Sequence, residues 1–291
     1  VSGGDSGGPL INALGEQIGI ITSKKLDGEN INFAITADRV REIFPTLLSA
    51  ELRYGFELGL QVEMLMPSVV VGAVTEGSPA DKAGIEIGDL IEAVDGRGVR
   101  NGMDFHLALV GRAPGERLDL RIQRKEEEKN IEVELGELEL LEPVAEEGMK
   151  SGLKFAGFEG SWDALPNFDE LVPVVDGVVT IPTEDAFSSE TGENYGIQFE
   201  GFVKIPKEGL YTFYTSSDDG SRLSIGNDVV VNNDGLHAVQ RKSGLVRLTA
   251  GLHPVTVLFF ERAGDEKLEI SWEGPGLALE LVPEAAWFHK P

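Results

Sequence analysis

One serine near the start of the chain lies in a string rich in glycine, Gly4-Asp5-Ser6-Gly7-Gly8-Pro9-Leu10. A serine hydroxyl becomes a good nucleophile at neutral pH only when a neighbouring base takes its proton. The letters satisfy G-x-S-x-G, which in one class of hydrolases places the serine between a strand and a helix. Here Pro9 and a strand-like run follow, and no alternation of strands and helices appears downstream, so we set that class aside. A glycine-rich hairpin loop without chemistry is the alternative to a nucleophile loop.

The same string resembles the nucleophile loop of trypsin-like serine proteases. The strings after it resemble the last strands of the HtrA/Deg protease family: Ile11-Asn12, Gly15-Glu16-Gln17-Ile18-Gly19-Ile20 and Asn32-Phe33-Ala34-Ile35. The resemblance implies that Ser6 is the nucleophile and that the N–H groups of Gly4 and Ser6 point at a developing oxyanion. It also implies that residues 1–50 are the C-terminal remnant of a trypsin-like β-barrel protease.

The base that Ser6 needs is not in the expected place. In trypsin-like proteases a His and an Asp both precede the Ser, whereas here only five residues precede Ser6 and every histidine follows it: His106, His237, His253 and His289. We therefore expect this chain alone to be inactive, with Ser6 active only in a longer parent. About fifty residues cannot rebuild a two-barrel protease, so we expect segment 1–50 to be exposed, poorly ordered or prone to aggregation.

Composition narrows the possible partners. The chain has 291 residues, of which 41% are hydrophobic and 26% charged, as in ordinary globular proteins. Lys and Arg number 25 against 50 Asp and Glu, a formal net charge of −25, which argues against nucleic acid or anionic lipid as the main partner. No apolar run approaches the roughly 20 residues of a membrane span. The absence of cysteine excludes disulfides, thiolate zinc sites and cysteine nucleophiles.

Short alternating apolar runs between glycines predict a mainly β, multidomain chain. Helices are predicted from Ala37 to about Phe44, where Thr36 is the cap and Pro45 the end, and at Pro79–Ala83 and Met103–Val110. Residues 139–152 are acidic, contain Pro and Gly, and are predicted to be a linker. After Gly152 seven or more short strands predict an antiparallel β-sandwich over residues 153–291.

Residues 53–138 resemble an α/β PDZ domain of the type fused to HtrA/Deg proteases. The strings that carry this resemblance are Tyr54-Gly55-Phe56-Glu57-Leu58-Gly59-Leu60, Gly77-Ser78-Pro79-Ala80, Ala83-Gly84, Gly88-Asp89-Leu90-Ile91, Asp95-Gly96 and Pro114-Gly115-Glu116.

The PDZ resemblance implies that the N–H groups of Glu57-Leu58-Gly59-Leu60 hold a peptide carboxylate and that the peptide adds as a strand beside them. Leu58 and Leu60 would line an apolar pocket for the C-termini of peptides or unfolded proteins. Glu57 stands where bacterial relatives commonly carry an aromatic residue, and its charge would weaken the attraction of a carboxylate. A PDZ fold that serves only as a spacer is the alternative. For His106, on the predicted groove helix, a surface or hydrogen-bonded role is favoured over a peptide contact.

Residues 153–291 resemble the sandwich domain named after the fourteen-kilodalton protective-antigen fragment (PA-fourteen), which also occurs in yeast flocculins. The strings that carry this resemblance are Glu159-Gly160-Ser161-Trp162, Leu165-Pro166-Asn167-Phe168, Phe199-Glu200-Gly201-Phe202, Gly209-Leu210-Tyr211-Thr212-Phe213, Ser216-Ser217-Asp218-Asp219-Gly220-Ser221, Asn233-Asp234-Gly235-Leu236-His237, Gly251-Leu252-His253-Pro254 and Ser271-Trp272.

Asp218 and Asp219 carry the possible chemistry of this domain. Adjacent side chains of an extended strand point to opposite faces, so both carboxylates reach one cation only where the backbone bends sharply. In the flocculins a cis peptide bond provides the bend, and a loop Asn, backbone carbonyls and sugar hydroxyls complete a calcium shell of 6–8 oxygens. Glu261 falls where that Asn would be, and it adds charge and length. The alternative is a hairpin turn at Asp218-Asp219-Gly220, capped by its own side-chain hydrogen bonds.

Together these resemblances imply the C-terminal part of an exported serine endopeptidase of the HtrA/Deg type, periplasmic or extracellular. Its PDZ domain would recruit peptides, and its sandwich would bind a glycan through calcium held by Asp218, Asp219 and Glu261. Two alternatives remain from the sequence. One is a binding protein for peptides and glycans that has no catalysis in the parent either, and the other is a sandwich that serves only as a spacer.

Overall fold

The computed structural model describes residues 6–24, 32–187, 189 and 192–291, and it divides the chain into two compact units, Val1–Leu138 and Glu139–Pro291. The predicted fold class is confirmed, because strands dominate both units and a β-sandwich is present. Within the described ranges, no helix combines the length and apolar character that a membrane span requires.

The first unit begins with a small antiparallel sheet in the order β1-β2-β3: β1 Pro9–Ile11, β2 Gln17–Lys24 and β3 Asn32–Thr36. Two helices follow, α1 Ala37–Leu47 and α2 Ala50–Tyr54. As predicted, the Thr36 hydroxyl caps α1 by accepting the N–H of Arg39 at 3.2 Å. The sheet leaves several apolar side chains exposed, including Leu10, Ile11, Leu14, Ile18 and Phe33.

The prediction that Pro45 ends α1 is wrong, because the helix continues to Leu47. A proline inside a helix removes one N–H donor. Pro45 lies in the last turn, and the following Leu48 N–H still donates to the carbonyl of Phe44 at 2.9 Å. The helix therefore keeps its last backbone hydrogen bond, although Pro45 itself cannot donate one.

The rest of the first unit is built from short strands and helices around one apolar core. The elements are β4 Phe56–Glu57, β5 Leu60–Val62, β6 Val71–Val74, α3 Pro79–Lys82, β7 Leu90–Val94, β8 Arg97–Gly98, α4 Gly102–Ala108, β9 Arg117–Arg124, β10 Glu127–Glu134 and β11 Gly136–Glu137. The pairings are antiparallel, β10-β9-β7-β8, β11-β4 and β5-β6. Leu118, Leu120 and Ile122 of β9 are fully buried and alternate with polar residues, as the period of two predicts.

Residues 139–152, predicted to be a linker, instead pack on the second unit. Leu141 accepts and donates backbone hydrogen bonds with Thr249 and Arg247, and the Val144 N–H donates to Leu252. Leu141 also packs against the apolar core of the sandwich. Backbone hydrogen bonds and the packing of Leu141 thus hold this acidic segment against the sandwich.

The second unit is an antiparallel sandwich of two sheets. Its strands are β12 Lys150–Ser151, β13 Leu153–Glu159, β14 Val175–Val179, β15 Tyr195–Ile205, β16 Gly209–Asp218, β17 Ser221–Ile225, β18 Asp228–Asn233, β19 Gln240–Leu248, β20 Gly251–Glu261, β21 Lys267–Gly274, β22 Leu277–Leu281 and β23 Trp287–His289. Short 3₁₀ helices lie at Phe168–Glu170, Glu184–Ala186 and Glu284–Ala286.

The larger sheet of the sandwich has the order β12-β23-β15-β20-β17-β18, with β13 paired to β15 and β14 paired to β13, and the smaller sheet has the order β19-β16-β21-β22. Aromatic side chains from both sheets fill the space between them. Tyr211, Phe213, Phe259 and Trp272 lie in this core, as predicted, and so does Trp287. Burial of these aromatic side chains, together with the aliphatic side chains of the same core, stabilises the unit.

Candidate functional site

The predicted nucleophile loop lies at the start of the described chain. Ser6 is exposed, and its hydroxyl donates to the carbonyl of Thr22 at 3.2 Å. The next residue, Gly7, has φ +86° and donates its N–H to Ile21 at 2.8 Å, so the loop is tied to β2. Gly4, the other predicted oxyanion donor, lies outside the described residues. Ser6 therefore lies on a turn, and among the described residues its hydroxyl contacts a main-chain carbonyl and not a side chain that could act as a base.

Each of the four histidines has a partner other than Ser6. His106 Nε2 lies 2.9 Å from the carbonyl of Val62, His253 Nε2 lies 2.9 Å from that of Thr249, and His289 Nδ1 lies 3.1 Å from that of Gly152. The ring of His237 contacts the carbonyls of Asn233 and Ala238. Burial lowers the pKa of His253, which keeps that ring neutral. Each of these rings thus contacts a main-chain carbonyl.

The segment predicted to bind a carboxylate connects β4 to β5 as a tight loop. Gly59 has φ +77°, and a Cβ there would lie 2.2 Å from Cβ of Ser78, so only glycine fits. The loop carbonyls are fixed, because Ala80 N–H donates to Leu58 at 2.9 Å and Thr75 N–H donates to Gly59 at 2.8 Å. The loop thus holds its own N–H groups in one orientation.

A groove of about 390 Å³ lies beside this loop, between β5, α4 and the residues of α1 and α2 near their connection. Leu60, Val62, Phe105 and Leu109 contribute its apolar wall. Leu58 does not line it, because its side chain is buried in the core at 1% exposure, so only Leu60 of the two leucines has the predicted lining position. His106 lines the groove while its ring bonds to Val62 of β5.

One residue of this site was missed from the sequence. Glu51, in the first turn of α2, accepts the N–H groups of Leu58 at 2.6 Å and Gly59 at 3.0 Å on the same oxygen, Oε1. It precedes the loop by seven residues and lies in no motif that marks a PDZ domain. Only the fold brings its carboxylate to these amides.

The structure brings Asp218, Asp219 and Glu261 together in the sandwich. One carboxylate oxygen from each lies within 4.8 Å of the others, and all three residues are buried. Asp218 ends β16 and Glu261 ends β20, so the two sheets meet here. The peptide bond between Asp218 and Asp219 is cis.

The hairpin alternative for this segment is wrong. A hairpin needs β16 to pair with β17, but β16 pairs with β19 and β21 whereas β17 pairs with β18 and β20. Residues 219 and 220 therefore cross from one sheet to the other. Gly220 is needed at the crossing, since a Cβ there would lie 2.4 Å from the ring of Phe260 and 2.9 Å from the Gly235 nitrogen.

Backbone N–H groups orient the acidic cluster. Asp219 Oδ1 accepts the His237 N–H and Oδ2 accepts the Arg262 N–H, both at 3.1 Å. Glu261 Oε2 accepts the Asp219 N–H, also at 3.1 Å. The contact that His237 makes with Asp219 thus comes from its main chain and not from its ring. Nearby, Asp234 accepts the N–H groups of Leu165 and Gly235, which fixes the loop before His237.

Glu261 Oε1 is the unusual atom of the cluster, because it is buried and has no hydrogen-bond partner among the residues that the structure describes. A buried polar oxygen without a partner carries a large desolvation cost. Burial, followed by the charges of Asp219 and Asp218, raises the pKa of Glu261 to about 7. Burial and the charge of Asp219 also raise the pKa of Asp218. An all-oxygen donor set with a surplus of negative charge suits a hard cation such as calcium.

Comparison with protein families confirms the resemblances to two domain types. Residues 57–135 match the family model of the PDZ domain, and residues 162–285 match that of the PA14 domain. The first match contains the whole loop and the β5 and α4 sides of the groove, and the second contains the whole acidic cluster. The class of the protein is thus a multidomain chain that joins a PDZ domain to a PA14 sandwich.

Curated relatives are similar over part of the chain. A probable periplasmic serine endoprotease, DegP-like, from Bartonella henselae is 28% identical over 200 residues, which is 63% of this chain and 39% of that protein. A putative serine protease HhoA from Synechocystis is 30% identical over 158 residues, which is 47% of this chain and 40% of that protein. This chain therefore spans about two fifths of the length of these relatives.

A solved structure, the PA14 sugar-binding domain from an RTX adhesin, aligns with 48% of this chain and 98% of its own, at 16% identity and a TM-score of 0.42.

Proposed function

We propose that this chain is the C-terminal part of an exported serine endopeptidase of the HtrA/Deg type, located in the periplasm or outside the cell. In this proposal the PDZ groove recruits peptide termini and the sandwich binds a glycan through calcium. The relatives named as serine endoproteases and the Ser6 string support the catalytic part. The buried, unpartnered Oε1 of Glu261 carries the calcium part.

In the parent enzyme, Ser6 is the nucleophile and the N–H groups of Gly4 and Ser6 stabilise the oxyanion. A serine without a base is a weak nucleophile at neutral pH, and the four histidines here have other partners. This chain alone therefore does not cleave protein. The test is incubation of the purified 291-residue chain with unfolded casein, beside Ser6→Ala. Cleavage that Ser6→Ala abolishes would contradict the proposed inactivity.

In the sandwich, Asp218, Asp219 and Glu261 hold one calcium ion, which supplies a positive centre for vicinal hydroxyls of a sugar. Carboxylate oxygens that already accept one N–H retain a lone pair for a metal. Three side chains do not fill a shell of 6–8 oxygens, so water, backbone carbonyls and sugar hydroxyls supply the rest. A bound calcium ion would also reduce the repulsion between the three carboxylates and give Oε1 of Glu261 a partner.

Calcium titration tests this proposal directly. The melting temperature of the full chain rises with calcium, while Asp218→Asn and Asp219→Asn lose most of that rise. Glu208→Gln, a change at an exposed turn of the same unit, keeps it. No calcium response in the unmodified chain would contradict the calcium part of the proposal. Binding to immobilised glycans, measured with calcium and with a chelator, then tests the sugar separately.

A further inference from the structure

The carboxylate-binding loop already holds a carboxylate from its own chain. Glu51 Oε1 accepts the N–H groups of Leu58 at 2.6 Å and Gly59 at 3.0 Å. These are two of the successive amides that would hold the terminal carboxylate of a bound peptide. A glutamate side chain and a peptide C-terminus present the same chemical group, so both compete for the same donors.

The backbone around Glu51 keeps this carboxylate close to the loop. The carbonyl of Glu51 accepts the N–H of Gly55 at 2.8 Å, and Gly55 in turn accepts the N–H of Leu138 at 3.0 Å. Gly55 has φ +74° and ends α2 directly before β4. Since the tether is only a few residues long, Glu51 acts at a high effective concentration.

A second internal contact lies along the same groove. His106 Nε2 and the carbonyl of Val62 are 2.9 Å apart. An added strand needs the free N–H and C=O groups of the strand edge on which it pairs. The groove of this chain therefore has one carboxylate position and one carbonyl position engaged by its own side chains.

We infer that Glu51 is an internal ligand of the loop, so that a peptide C-terminus binds only by displacing it. A peptide segment without a free terminal carboxylate does not compete with Glu51. Glu51 thus weakens the preference of the groove for C-termini. This inference rests on the proposed peptide-binding function of the groove.

The test uses two decapeptides of one sequence, with lysines in the first half and apolar residues ending in valine. One has a free C-terminal carboxylate and the other a C-terminal amide. Their affinities are measured by fluorescence polarisation for the full chain, Glu51→Ala and Glu51→Gln. The control is Glu63→Ala, because Glu63 is an exposed acid that also lines the groove.

We expect Glu51→Ala to bind the free acid about tenfold more tightly, equivalent to about 1.4 kcal/mol, with the amide unchanged. Glu51→Gln, which keeps an acceptor oxygen without the charge, should give a smaller gain and covers the case in which the alanine variant does not fold. Glu63→Ala should not change the ratio between the two peptides.

The inference is overturned, while the groove function stands, if the peptides bind and substitution of Glu51 leaves the ratio of their two affinities unchanged. Equal gains for both peptides would be such a result. If neither peptide binds any of these proteins, the proposed groove function fails and the inference fails with it. Amide hydrogen exchange at Leu58 and Gly59 adds a readout without peptide. Exchange should accelerate in the Glu51 variants and not in Glu63→Ala, and unchanged exchange would show that Glu51 does not occupy the loop.

Discussion

Glu261→Gln should stabilise the metal-free sandwich, and by an amount that depends on pH. The glutamine keeps the size of the side chain and an oxygen that accepts the Asp219 N–H. Its amide group replaces the orphan Oε1 and supplies donors beside two carboxylates. The substitution therefore removes a buried negative charge. It also replaces the Oε1 atom that lacks a hydrogen bond by a group that can donate one.

The magnitude follows from the cluster itself. With ligand oxygens within 4.8 Å and an effective dielectric constant of about 20, each ionised pair repels by at least about 3 kcal/mol. The pKa of Glu261 is about 7 in the folded protein against an ordinary value of 4.5. This difference disfavours folding by about 3 kcal/mol once the pH exceeds about 8, and by about 1 kcal/mol near pH 5.

The sign follows from proton linkage. The raised pKa means that the folded state holds the proton of Glu261 more tightly than the unfolded state does. Stability from this residue is therefore fully present below the unfolded value of 4.5 and is lost as the pH rises through about 7. Without calcium, the unmodified sandwich loses stability over this window, while Glu261→Gln loses less because only the raised pKa of Asp218 remains.

Tryptophan fluorescence measures this unit alone, because all three tryptophans of the chain, Trp162, Trp272 and Trp287, lie in it. Urea unfolding of the full chain with a chelator, at pH 5 and at pH 8, gives the free energies. We expect a gain of about 3 kcal/mol at pH 8, or roughly 6–12 °C in melting temperature. Glu208→Gln is the control for loss of one exposed charge and should change stability by less than about 0.5 kcal/mol.

The reasoning would be refuted if Glu261→Gln were no more stable than the unmodified chain at pH 8, or if its gain were equal at both pH values. The first result would mean that the three carboxylates do not repel one another in the folded state. The second would mean that the gain comes from the amide contacts and not from the charge. With saturating calcium the order should reverse, because the metal needs the third negative ligand.

Two further predictions concern the first unit. Gly59→Ala should destabilise it by about 3 kcal/mol or more, because Gly59 has φ +77° and the new Cβ would lie 2.2 Å from Ser78. Gly77 has a similar φ of +74° but open space around it, so Gly77→Ala should cost only about 1 kcal/mol. Calorimetry of both variants measures the difference. Asp89→Ala should cost about 3–5 kcal/mol in the same assay, because it leaves Arg124 without the buried carboxylate that it binds twice at 2.7 Å. Although burial opposes the shift, the hydrogen bonds and charge of Arg124, with the Glu86 N–H, lower the pKa of Asp89, so this contribution is lost as the pH falls through that lowered value.

Local pattern was sufficient for much of the fold. The run Tyr195–Ile205 forms one strand, as its alternation predicts, and the polar residues of β9 alternate with buried leucines. The helix that begins after Thr36 was predicted at its start and not at its end. The cap at Thr36 is a hydrogen bond between neighbouring residues, so the sequence predicts it. Whether a helix continues past a proline depends on which backbone hydrogen bond its last turn loses, and the sequence does not show this. The docking of Leu141 depends on a core formed by strands about a hundred residues later.

The site divides in the same way. The sequence by itself determined the residue types that form the acidic cluster and the glycine of the carboxylate loop, because a motif records which atoms must be present and where a Cβ is excluded. Only the tertiary structure decided that residues 219 and 220 cross between the two sheets of the sandwich. It also decided that Glu261 Oε1 has no hydrogen-bond partner among the described residues and that the Glu51 carboxylate accepts the loop N–H groups. Hydrogen bonds and charge repulsion act over a few ångströms in space, and chain separation does not reveal which groups lie within that distance.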